Sequence, residues 1–109
     1  MVEKKRPAYL MVQIKFKNFE DSMNRYGQHA VPLMAKFGGQ IIAGSPTPKV
    51  LEDKWDGNWA AVVKFPDMAA AEAFYHSSEY KPLKDLRINE LTASGRVLLL
   101  EEFDPSLFG

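Results

Sequence analysis

The chain has 109 residues, enough for one domain, with 14 basic and 14 acidic side chains, 46% hydrophobic residues and no cysteine. Balanced charge gives no field to gather nucleic acid or an anionic membrane, and the lack of cysteine excludes disulfides, thiolate catalysis and cysteine-held metals. The apolar runs are too short to span a bilayer and the charged N-terminus has no hydrophobic signal core, so a cytoplasmic protein is expected.

The charged run EKKR, Glu3 to Arg6, precedes Pro7 and reads as a solvated tail. This sets a tail at 1–7, a single domain at 8–104 and a second tail at 105–109. AYLMVQIKF, Ala8 to Phe16, alternates with period two, the mark of a strand. Asn18, with Asp21 three residues on, signals a helix start of the capping-box type. Phe19, Met23, Tyr26, Ala30, Leu33 and Phe37 then recur at three and four, forming one buried stripe. Pro32 interrupts that helix, because its ring meets the carbonyl of Gln28, so a kink or restart is expected there. Gly38-Gly39 stops it.

QIIAG, Gln40 to Gly44, is the second strand, and SPTP bends the chain. KVLEDKW and NWAAVVKF flank Asp56-Gly57, a hairpin signal that predicts an extra strand before the turn. Pro66-Asp67 caps a helix with Met68, Ala71, Phe74, Tyr75 and Ser78 on one face. Ser77 or Ser78 recaps a short helix that tolerates Pro82 in its first turn. RVLLLEEF, Arg96 to Phe103, is the last strand.

The order is β-α-β-β-α-β, an α+β class: a ferredoxin-like sandwich of two helices on one face of an antiparallel sheet. Yet Val97 and Leu99 oppose Leu98 and Leu100, and Trp59, Ala61 and Val63 oppose Ala60 and Val62. Strands apolar on both sides are buried on both sides. In so short a chain the economical cover for the second face is another copy, a homodimer. Leu107 and Phe108 in the C-terminal tail also suit docking on a partner.

The segments AYLMVQIKF, RYGQHAVPLMAKFGGQ, VLEDKW, VVKFPDMAAAEAFYHSSEY and RVLLLE resemble the family of domain of unknown function 1330, within the dimeric α/β-barrel superfamily. The resemblance runs from about Ala8 to Glu102 and implies a ferredoxin-like fold whose sheets pair into a barrel across a dimer. Asp53 stands where the family usually has glycine, Asp67 where serine is common and Phe74 where tryptophan is common. The superfamily includes cofactor-free monooxygenases, lactone isomerases, haem-degrading enzymes and ligand-sensing domains, so fold alone assigns no reaction.

FYHSSEYKPLKDLR, Phe74 to Arg87, sets tyrosines, serines and an arginine among packing residues. Tyr75 and Ser78 fall on the inward face of one helix, and Tyr80, Leu83 and Arg87 form a stripe on the next. In one reading they serve structure: Ser78 caps a helix, the hydroxyls bond backbone, and Arg87 binds terminal carbonyls or Glu79. In the other they line a cleft where Arg87 grips a carboxylate or enolate and the tyrosines orient an aromatic or unsaturated acid.

Arg87, Tyr26, His29 and Glu52 are the candidate catalytic residues; Tyr75, Ser78, Tyr80 and Trp59 are the candidate substrate contacts. His29 lies at the edge of the helical stripe and suits proton transfer; Glu52 belongs to the family-like VLE segment. Two isolated histidines lack metal-type spacing, and there is no phosphate loop, nucleophile elbow or dinucleotide fingerprint, so neither metal nor cofactor is expected. Two functions remain open. One is a cofactor-independent enzyme acting on a small organic acid by proton transfer or by isomerase- or monooxygenase-like chemistry. The other is a non-catalytic ligand-binding or assembly module.

Overall fold

A computed structural model describes residues 6–109, so most of the charged tail read at Glu3 to Arg6 lies outside the described residues. The alternating segments become β1 (Ala8–Phe16), β2 (Gln40–Ser45), β3 (Trp59–Phe65) and β4 (Thr92–Glu101). They form one open antiparallel sheet in the order β2-β3-β1-β4. The first helix is α1 (Phe19–Ser22), a wide π turn at Met23–Gly27 and α2 (Gln28–Lys36). The second is α3 (Met68–Tyr75); the third is α4 (Lys81–Leu86), extended by a π turn at Arg87–Leu91. This is the ferredoxin-like α+β arrangement the sequence predicts.

The helix starts follow the predicted caps. Asn18 Oδ1 accepts from the Asp21 N–H at 2.9 Å, and an Asp67 carboxylate oxygen accepts from Ala70 N–H at 2.8 Å. The capping box is one-sided, because the Asp21 carboxylate pairs with Arg25 instead. The expected break at Pro32 falls one turn early. α2 restarts at Gln28, the residue whose carbonyl a Pro32 N–H would have bonded. Gly38, at φ +86°, closes the helix, with Gly38 N–H donating to Ala35 and Gly39 N–H to Met34. A Cβ on Gly39 would stand 2.7 Å from the Phe65 ring, so the strand begins against a position only glycine fits.

The extra strand predicted before Asp56-Gly57 does not form, and residues 46–58 are a loop. Pro46 and Pro48 remove ladder donors, and Asp53 adopts φ +86°, a left-handed conformation that ends extended pairing. That is the position where the resembling family favours glycine, which enters this region without strain. Trp55 lies so close over Gly57 that a Cβ there would stand 1.7 Å from the ring. Asn58 then anchors the loop, its side chain accepting from Phe16 N–H at 2.8 Å and donating to Phe16 C=O at 3.0 Å. β4 starts at Thr92 rather than Arg96, because Thr92 pairs with Phe16 and the strand covers all of β1.

The core lies between the helices and one sheet face: Leu10, Ile14 and Phe16 of β1, Val63 and Phe65 of β3, Ala71 and Phe74 of α3, and Met34 of α2. Phe74 is its centre, stacked on Phe65 at 5.7 Å and touching Phe37 and Tyr80 at 6.0 and 4.4 Å between centroids. Among the described residues no helix packs on the opposite sheet face. Its cross-strand rows read Val62–Met11–Leu98 and Lys64–Tyr9–Leu100, with Leu98 and Leu100 about half exposed. The tail forms a short 3-10 turn at Pro105–Phe108 in which Leu107 and Phe108 stay exposed and Phe108 stacks on Phe103. Among the described residues no helix is long and apolar enough to cross a membrane.

Candidate functional site

Two π turns place the polar groups of the interior. π turns are rare, and occur often where function asks for a displaced side chain. Tyr26 sits in the first and Arg87 opens the second. The buried line of the first helix becomes Ser22, Tyr26, Ala30 and Met34, four apart each time, because the wide turn lengthens the period beyond 3.6. Arg25 ties the two turns together, donating to Glu90 at 2.8 Å across the helices.

At their meeting point the Tyr26 and Tyr80 hydroxyls share a hydrogen bond of 2.6 Å, and the Arg87 guanidinium faces both. Tyr26 is 8% exposed, Tyr80 2% and Arg87 5%, so the cluster is sealed. Arg87 Nη2 and the Ser22 hydroxyl are buried without a hydrogen-bond partner among the described residues. Burial pushes the Tyr26 phenol well above its ordinary value, as would a negative charge on Tyr80, and Arg87 only partly opposes them. Burial would depress the Arg87 pKa, but Tyr80 and then Tyr26 hold it raised. The cluster therefore sets the Arg87 cation beside a Tyr26 phenol that keeps its proton at neutral pH.

This shift has a measurable sign. The folded protein keeps the Tyr26 proton above pH ~10, where an unfolded tyrosine has lost it, so the unfolded state binds fewer protons and stability falls as pH rises. Tyr26→Phe is expected to flatten that fall by up to about 1.4 kcal/mol per pH unit above pH ~10. Urea unfolding of both proteins at several pH values between 9 and 11 measures it. Parallel curves would contradict the buried-phenol account.

Beside this cluster, between the first helix and the sheet, lies a cavity of about 120 Å³. Tyr26 is one wall; Ile14, Ala30, Met34, Trp59 and Val63 are others, and the lining is almost wholly apolar. Val31 and Ile41, both partly exposed, flank it. Ala30, the smallest hydrophobic residue on the buried line, leaves this space unfilled. Arg87 is not among its lining residues, but Tyr26 lines the void and its hydroxyl belongs to the cluster.

The structure thus gathers Tyr26, Tyr80 and Arg87, with Tyr75 half-buried alongside, its ring 5.8 Å from that of Tyr80 and under Lys84 Nζ at 4.7 Å. Trp59 joins Tyr26 at the cavity. Ser78 does not face inward: α3 ends at Tyr75 and Ser78 is exposed in the following turn. Ser77 makes the turn instead, its hydroxyl donating to Phe74 C=O at 2.8 Å and accepting from Tyr80 N–H at 3.1 Å. Glu79, offered as a partner for Arg87, pairs with Lys36 at 2.6 Å.

His29 is exposed on α2, on the turn away from the buried line. Glu52 is exposed in the 46–58 loop, lining a groove with Gln13, Trp55 and Arg96 on the uncovered side of the sheet. These two candidates stand apart from Arg87. Sequence reasoning missed Ser22 and Met34, which a 3.6-residue period puts beside the stripe; it also missed the cavity, whose signal is the small residue at 30. Among the described residues no group of three or more histidine, aspartate or glutamate side chains is placed to share a metal ion.

Solved structures share this architecture at low identity. The methylated RPA0582 protein superposes with a TM-score of 0.76 at 13% identity over 93% of this chain and 84% of its own. A second structure of RPA0582, titled a protein of unknown function from Rhodopseudomonas palustris, gives 0.73 at 15% identity over 93% of this chain and 85% of its own. PA3566 from Pseudomonas aeruginosa gives 0.64 at 15% over 94% and 100%. No curated protein matches the chain. Residues 7–103 match the family described as domain of unknown function DUF1330, and with nearly the whole fold inside that match the chain belongs to this family.

Proposed function

We propose that this chain is a homodimeric binding protein holding one small apolar molecule in the cavity between its first helix and its sheet. The cavity carries the reading. Protein interiors seldom keep voids larger than a water molecule, yet this one spans about 120 Å³ and is lined by Ile14, Ala30, Met34 and Val63. An apolar cavity of about 150 Å³ stays dry and accepts benzene, so a single ring or a short aliphatic chain suits this one.

Catalysis by proton transfer would need a base at the void. Among the described residues neither a carboxylate nor a histidine lines it, and the Tyr26 phenol holds its proton at neutral pH. The arrangement favours holding a molecule over transforming it. The dimer rests on the uncovered sheet face, where a second copy would cover Met11, Leu98 and Leu100 and close two open sheets into a barrel.

Thermal shift with toluene tests the cavity. A ligand at a hundred times its dissociation constant adds about 2.7 kcal/mol, which raises the melting temperature by roughly 10 °C in a domain of this size. Ala30→Leu, which fills the void from a fully buried position, is expected to keep the fold and lose the response. An equal response in both proteins, or none in the wild type, would end the proposal.

A further inference from the structure

The described ion pairs of this chain are at the surface: Arg6 with Glu101 and Asp104, Lys15 with Asp56, Arg25 with Asp21 and Glu90, Lys36 with Glu79, Lys81 with Asp85. Arg87 differs. It is 5% exposed, it has no carboxylate partner among the described residues, and its Nη2 is without a hydrogen-bond partner. A guanidinium does not shed its proton, so it cannot escape burial by neutralising as a lysine would. Buried charges are ordinarily paired, and the groups facing this one are tyrosine side chains rather than carboxylates.

Tyr26 belongs both to the wall of the apolar void and to the cluster that this charge faces. We infer that the ligand of this protein is a small monocarboxylic acid, its apolar part in the cavity and its carboxylate on Arg87, with the Tyr26 and Tyr80 hydroxyls as further donors. The inference rests on the cavity reading above and names the headgroup that reading leaves open. A planar carboxylate fits because the guanidinium fork offers two parallel donors to two oxygens. Because the cluster is sealed and Arg87 does not line the void, binding requires the Tyr26 side chain to part from Tyr80 and open the cluster to the cavity.

The test compares near-isosteric probes on the wild-type protein: benzoate, benzamide and toluene, each titrated at pH 7 by calorimetry. Benzoate is expected to bind roughly 10- to 100-fold more tightly than benzamide, the range a hydrogen bond to a charged group supplies. In Arg87→Met the preference should vanish while toluene affinity stays unchanged; in Arg87→Lys, which keeps the charge but not the fork, it should fall between.

The wild-type comparison decides the matter even where a variant fails to fold. Toluene binding without a benzoate preference leaves the cavity reading standing and overturns the carboxylate. Absence of binding by all three removes both. Stabilisation by chloride or phosphate that depends on Arg87, with no benzoate preference, assigns the site to a free inorganic anion and also overturns the inference.

Discussion

Phe74→Ala is expected to cost about 3–5 kcal/mol of stability, the range for deleting a fully buried aromatic ring. Domains of this size are stable by only about 5–15 kcal/mol, so the variant should melt at least about 12 °C lower. Phe74 is 0% exposed and its ring contacts Phe65, Phe37 and Tyr80, which come from a strand, the end of the first helix and the turn before α4. No single neighbour can collapse into the space, because each is fixed by a different element. Ile88→Ala removes an aliphatic side chain that is 51% exposed, and should cost less than about 1 kcal/mol. Thermal unfolding of the two variants beside the wild type separates burial from hydrophobicity alone. Equal melting temperatures for Phe74→Ala and Ile88→Ala would refute this account of the core. A secondary effect is expected too: the Tyr80 ring rests on Phe74 at 4.4 Å, so near-ultraviolet circular dichroism from the tyrosine pair should weaken with it.

The strands, caps and inward tyrosines were legible because each rests on a local rule. Period two in β1 and an asparagine or aspartate before each of the first two long helices act over three or four residues, and no distant contact had to be known. The misreadings share one cause, which is that a neighbouring element changed the geometry. The 49–55 strand has the right residues, but two prolines precede it and Asp53 turns left-handed inside it. Ser78 would face inward only if α3 ran another turn; the chain instead stops at Tyr75 and Ser77 closes the corner. Ser22 and Met34 join the buried line because a π turn lengthens the period, and nothing in the residues 23–27 announces a π turn. Glu52 and His29 each looked suitable in isolation. Their distance from Arg87 is a fact of topology, since the 46–58 loop lies on the uncovered side of the sheet and His29 on the outward turn of α2.

Met11→Asp is expected to turn the proposed dimer into a folded monomer. Met11 sits in the middle of the uncovered face, paired with Val62 on one side and Leu98 on the other. In a lone protomer that face meets water, where an aspartate costs at most about 1 kcal/mol of strand preference. Across a dimer the same carboxylate, with its symmetry mate nearby, would enter an apolar interface with no cation in its row, and an unpaired buried charge costs several kcal/mol. The dissociation constant should weaken by at least about 100-fold, while far-ultraviolet circular dichroism stays that of the wild type. The zero net charge of the chain removes long-range repulsion between two copies, so association depends on the apolar rows and not on salt. Sedimentation equilibrium at micromolar concentration is decisive. The wild type should run at twice the 12.3 kDa chain mass and the variant at that mass. A wild-type protein that is folded yet monomeric would remove the dimer and the barrel together; a Met11→Asp protein that stays dimeric would move the interface to another surface.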